Sequence, residues 1–374
     1  MGETRQERRG SFALEPKSRV RSFDVVSSLM PLTSGTRVVA YRAAMVAAVV
    51  VPVVAAAAGL VSFAVVAAAV AIPAVFAVYL YDVNEWDDQP VPVVLGTIVL
   101  AGVLGAAAIR LVEALVLDPA TRLTLDSSSG ASRSILAFGV IAPVLAIVAG
   151  LLGPVGLASR SRFDDLLDGL TFGAVAGAAY AAGETLVMHR GVLDGDIVQP
   201  GDTTLWVSVV ANAAITKPVV YAAALAIAGA SFSGIGPGYE GFGPRFARGL
   251  GVAATGLLAY GLGVTLLAEV IGGSIGAVLG LVWALVVAGA LILVLRTQLH
   301  HGVLEASLDA ARGRPSRHEV RTGAHCGGCE MPLASLALFC SACGMSVRAT
   351  GKLRQHANVG TRRAQPTRPG GASS

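Results

Sequence analysis

The sequence predicts an all-α, polytopic membrane protein: a bundle of about eight transmembrane helices followed by a small cysteine-bearing module. Three observations predict it. The 374 residues are 54% hydrophobic and only 14% charged, with a mean hydropathy of +0.68, a balance that no soluble core requires. The apolar residues gather into runs that meet the ~20-residue length of a bilayer crossing. All four cysteines stand together after the last run, at Cys326, Cys329, Cys340 and Cys343.

The runs fall at Val39–Leu60, Val61–Tyr81, Val91–Leu111, Ile135–Leu157, Leu166–Val187, Thr204–Ala230, Leu250–Ile271 and Ile275–Leu295. Alanine, valine and glycine dominate them, and small residues let helices pack closely where lipid supplies no hydrophobic force between them. Lysines and arginines beside the spans set orientation. The arm before the first span (1–38) carries Arg5, Arg8, Arg9, Lys17, Arg19, Arg21 and Arg37, which places it in the cytoplasm. With eight crossings, Arg160/Arg162, Arg245/Arg248 and Arg296 fall on the same side, while Asp194, Asp196 and Asp202 form an acidic outer loop. The expected location is therefore the cell (plasma) membrane, multi-pass, with both termini cytoplasmic. The net charge of +4 fits membrane retention and contact with anionic lipid; no specific nucleic-acid partner is expected.

Beyond the membrane domain (39–297), residues 298–323 read as a charged linker, helical up to Arg312. Residues 324–348 hold two CxxC pairs separated by ten residues. Two such turns present four thiolates at one point, the closed tetrahedral set of a structural Zn²⁺ site. Structural disulfides are disfavoured in a reducing cytoplasm, so one structural zinc on Cys326, Cys329, Cys340 and Cys343 is expected, in a module that resembles the minimal zinc ribbons. Residues 349–374 are rich in Arg, Gly, Pro, Ser and Thr, the composition of a disordered basic tail.

The fifth span is the most informative. Gly169, Gly173 and Gly177 recur every fourth residue, and the same spacing leads to Tyr180 and Glu184, so one helix face is notched for close contact and ends in an acid. A carboxylate at bilayer depth is costly and marks a functional position. The sixth span carries Asn212, Thr216 and Lys217 at membrane depth, with Pro218 freeing a carbonyl one turn back. If the two spans pack antiparallel, Glu184 and Lys217 can meet as a buried ion pair; the alternative is that Lys217 snorkels outward. Arg110 and Glu113, three apart, read as an interfacial pair.

These residues resemble the PrsW-type intramembrane metalloprotease family. Pro73, Tyr79, Asp82, Glu85 and Pro90 look like the family's first helix and acidic loop; Asp168-Gly169, Gly173, Gly177 and Tyr180-x-x-x-Glu184 look like its glycine-rich helix. The similarity runs from about Ile72 to Ser231. It implies a metal-dependent site whose first motif is Glu-Glu-x-x-Lys, yet the matching positions here are Ala142, Pro143 and Ala146. Where the resemblance implies a histidine four residues before Thr216, the chain has Asn212, and none of its six histidines lies in a span. Water activation needs about three protein ligands, an open metal position and a base. Of the implied catalytic set, Glu184 alone remains. The expected function is thus that of a degenerate PrsW-like protein that binds or regulates other membrane proteins, as clients, without cleaving them. Two alternatives stay open: an active intramembrane peptidase with a rearranged site around Glu184, and a small-solute transporter using Glu184 and Lys217.

Overall fold

The computed structural model describes residues 38–83, 91–117, 130–160, 163, 166–194, 202–233 and 243–312. The N-terminal arm, the acidic loop with Glu85 and Pro90, Asp164 and Asp165, the four cysteines and the basic tail lie outside these residues.

The described chain is all-helical, with no strand among the described residues. Its elements are α1 (Val38–Ala57), α2 (Val61–Val83), α3 (Val91–Val112), α4 (Gly130–Ser134), α5 (Ala142–Gly150), α6 (Leu152–Ala158), α7 (Leu166–Met188), α8 (Arg190–Leu193), α9 (Thr203–Ala211), α10 (Lys217–Ser231), α11 (Pro244–Val270) and α12 (Gly273–Arg312). Short π-helical segments, Glu113–Leu117, Ile135–Ile141 and Asn212–Thr216, extend or join them. Six continuous helical stretches are long and apolar enough to cross a membrane: Pro92–Val116, Ala131–Ala158, Leu166–Met188, Thr203–Ser231, Phe246–Val270 and Gly273–Gly302. The apolar helices α1 and α2 precede them, joined by a turn in which Gly59 takes φ 81°. The described residues are those of a multi-pass, all-α membrane protein.

Two proline sites shape the interior of the bundle. Proline has no N–H to donate to the carbonyl four residues back, and its ring crowds that carbonyl. The disturbance at Pro218 takes the form of a widened turn: the segment Asn212–Thr216 is π-helical, and the Lys217 N–H donates to the Asn212 carbonyl five residues back. The same solution recurs before Pro143, where the Ala142 N–H donates to the Ala137 carbonyl. Nothing in the spacing of the apolar residues announces this second widening.

Burial ranks the helices. α7 and the α9–α10 stretch are largely enclosed by protein, whereas the other four spans expose most of their apolar surface, as lipid-facing helices do. The glycine face of α7 explains its central place. A Cβ on Gly169 would lie 2.7 Å from the Gly229 carbonyl oxygen, one on Gly173 would strike the Leu225 carbonyl, and one on Gly177 the Tyr221 carbonyl. Each step of four along α7 is matched by a step back of four along α10, so the pair is antiparallel and in backbone contact. A second face of α7 meets α3, where Gly105 abuts the Tyr180 carbonyl and Gly183 abuts that of Gly102. This pair runs parallel: Arg190, just past the end of α7, bonds Glu113, just past the end of α3, at 2.6 Å. Glu113 also holds Arg110 at 3.4 Å, so the expected interfacial pair gains a third, interhelical member.

The last helix does not stop at Leu295, where the expected span ends. α12 runs for 40 residues to Arg312, so the first half of the expected linker is its helical continuation. Leu295 and Leu299 pack with Leu166, Leu167 and Leu170, tying this continuation to the start of α7.

Candidate functional site

The antiparallel register of α7 and α10 generates the site. Continuing the glycine steps brings Ala181 level with Lys217, and Glu184 lies three residues farther along α7. Lys217 Nζ stands 3.2 Å from Glu184 Oε1, with the two side chains 8% and 6% exposed. Lys217 therefore does not snorkel outward; it is enclosed and paired. The expected ion pair between the two spans is present.

The ammonium has three recognisable neighbours. Besides the carboxylate, it donates to Met188 Sδ at 3.5 Å and sits 5.9 Å from the centre of the Tyr221 ring, within cation–π range. The carboxylate is less evenly served. Glu184 Oε2 is buried without a hydrogen-bond partner.

Three tyrosines from three helices wall the pair. Tyr180 of α7 stacks with Tyr221 of α10 at 6.0 Å, and Tyr221 meets Tyr260 of α11 edge-on at 6.1 Å. Such arrangements join large apolar surfaces with polar tips, which fits a polar cluster inside lipid. Tyr260 donates its hydroxyl hydrogen to Asn212 Oδ1 at 3.2 Å. Thr216 donates to the same Oδ1 and lies 3.1 Å from the Asn212 carbonyl oxygen. Asn212 and Thr216 are thus partners of each other across the π turn, and that turn sets the direction in which Lys217 leaves the backbone.

At the C-terminal end of α7 the site reaches a histidine just past the span. His189 Nδ1 lies 2.9 Å from the Thr185 carbonyl oxygen, which can only accept, so Nδ1 carries the hydrogen in the neutral ring. Burial holds the imidazole pKa below its ordinary value of 6.5; the Thr185 contact opposes the shift and the nearby Lys217 charge adds to it.

The positions matched to the missing acid, acid and base are filled by packing. Ala142 is buried with Ile109 and Val112, and Ala146 belongs to the core cluster that contains Tyr180, Tyr221 and Tyr260. Pro143 packs where Gly261 of α11 lacks a side chain. Among the described residues no group of three or more His, Cys, Asp or Glu side chains is placed to hold a metal ion.

Tyr221, Tyr260 and Met188 belong to the site but were not singled out by sequence reasoning. Tyr221 and Met188 each had a signal, standing four residues beyond Lys217 and Glu184 on the same helices. Tyr260 had none, because it lies on a different helix. No family model matches the chain, and no curated protein or solved structure matches it.

Proposed function

We propose that this protein is a degenerate PrsW-like membrane protein that binds or regulates other membrane proteins without cleaving them. The observation that carries the reading is the state of Glu184: its carboxylate is spent on Lys217 at 3.2 Å inside the bundle. A carboxylate paired in this way stabilises a cavity wall; it is a poor base and a poor metal ligand while the pair lasts. Ala142, Ala146 and Asn212 support the same reading, each being engaged in packing or hydrogen bonds where the resemblance implies a catalytic group.

In this reading the membrane domain makes eight crossings, the six long spans together with α1 and α2, and both termini lie in the cytoplasm. The parallel course of α3 and α7 and the antiparallel course of α7 and α10 are those of alternating crossings. The two CxxC pairs supply the donor set for one structural Zn²⁺, which a module with so small a core needs in order to fold. The ribbon would then be a contact point on the cytoplasmic side.

Metal analysis tests the proposal. Purified full-length protein should carry one zinc per chain, and replacing Cys326, Cys329, Cys340 and Cys343 with serine should leave none. Metal retained by the cysteine-free protein and lost on Glu184→Gln would place a second centre in the membrane and favour the intramembrane peptidase instead.

A further inference from the structure

The proposed function leaves Met188 unexplained. It is the last residue of α7, 38% exposed, and stands one turn beyond Glu184 on the same helix. Its sulfur accepts a hydrogen from Lys217 at 3.5 Å, so a partly exposed side chain touches the enclosed ammonium. Two residues on, Arg190 is 47% exposed and pairs with Glu113, which marks the polar boundary within about 3 Å of helix rise from Met188. Methionine is a favourable core filler while reduced, and oxidation turns it into a polar, strongly accepting side chain.

We propose that Met188 is an oxidation site that controls the Glu184–Lys217 pair. The oxidant class is a two-electron oxygen donor such as hydrogen peroxide. The sulfur attacks one peroxide oxygen, the O–O bond breaks, a sulfur–oxygen bond forms, and after proton transfer water leaves; sulfur loses the two electrons that peroxide gains. The sulfoxide oxygen then competes for Lys217 from the position the thioether already holds. Glu184 Oε2 has no hydrogen-bond partner in reserve, so drawing the ammonium away leaves the carboxylate under-paired inside the bundle. The wall between α7 and α10 loosens at its outer end, where the glycine contacts that hold the rest of the pair together do not reach.

The test uses the full-length protein in lipid nanodiscs treated with hydrogen peroxide, with peptide mass spectrometry to locate the added oxygen and thermal unfolding to read its effect. Met188 should be oxidised in the folded protein and Tm should fall by a few degrees; Met188→Leu, whatever its starting Tm, should lose the peroxide-dependent fall. A methionine sulfoxide reductase should restore Tm in step with loss of the sulfoxide, a readout that does not depend on the variant folding. The proposal is overturned if Met188 resists peroxide in the folded chain while reacting after unfolding, if Met188→Leu shows the same fall, or if Tm stays low after the sulfoxide has been removed.

Discussion

Glu184 of α7 and Lys217 of α10 meet at 3.2 Å in a place where both side chains are more than nine-tenths buried. Neither residue alone explains its own position. The carboxylate needs a cation at that depth, the ammonium needs an anion, and the glycine face that presses α7 onto α10 brings the two into line.

Because each charge is the other's main compensation, the two single replacements and the double replacement should differ sharply. Lys217→Met leaves a buried carboxylate unpaired and should cost about 3–5 kcal/mol. Glu184→Leu strands the ammonium and should cost a similar amount. The double variant Glu184→Leu/Lys217→Met replaces the pair by apolar groups and should recover most of the loss. Denaturation in a mild detergent measures all three, and additive losses would show that the pair carries no coupling.

The glycine face makes a second, sterically defined prediction. A Cβ at position 177 would meet the Tyr221 backbone, which cannot turn aside as a side chain could. Gly177→Ala should therefore destabilise the bundle by about 1–3 kcal/mol through forced separation of α7 and α10. Gly251 on α11 offers the contrast, because a Cβ there meets nothing within 4 Å. Gly251→Ala should be neutral or stabilise by up to about 1 kcal/mol, by reducing the freedom of the unfolded chain. Comparing the two melting temperatures separates helix contact from a general intolerance of alanine.

His189 gives the protein a pH dependence of known sign. Its pKa is held below 6.5 in the folded chain, first by burial and then by the Lys217 charge. The unfolded chain therefore takes up the proton first as pH falls, and stability is lost through the region just below 6.5, the loss being complete once pH has passed the folded value. Thermal unfolding followed downward from neutral pH should show this loss, and His189→Gln should flatten it. A variant as pH-sensitive as the wild type would place the titrating group elsewhere.

Much of this architecture was legible in the sequence because lipid imposes simple demands. Long apolar runs must be helices, glycines at every fourth residue must face a neighbour, and an acid at depth must find a cation. That chain of reasoning reached Glu184, Lys217 and the antiparallel contact between their helices. It did not reach Tyr260, which bonds Asn212 from 48 residues away and from a different helix. Nor did it reach the π turn before Pro143. A proline in an apolar run announces a disturbed hydrogen bond, but whether the backbone kinks or widens is settled by what packs against it, here the bare backbone of Gly261. The parallel contact of α3 with α7 was hidden for a similar reason, since Gly102 and Gly105 stand three apart among many small residues and show no repeat of their own.

The bond from Tyr260 to Asn212 carries the last prediction. It is the hydrogen bond through which α11 reaches the π turn that aims Lys217, and it is shared at Asn212 Oδ1 with Thr216. Tyr260→Phe keeps the ring against Tyr221 and removes only the hydroxyl, so the loss should be that of one hydrogen bond, about 0.5–1.5 kcal/mol. Asn212→Leu removes the acceptor for both Tyr260 and Thr216 while leaving the Thr216 contact with the Asn212 backbone carbonyl; it should cost more than Tyr260→Phe. If the two residues act through one bond, the double variant should be no less stable than Asn212→Leu alone, because the tyrosine hydroxyl has no acceptor left to lose. A cycle in which the two losses simply add would mean that the Tyr260 hydroxyl supports the bundle through some partner other than Asn212, and that the π turn holds its shape without this bond to α11.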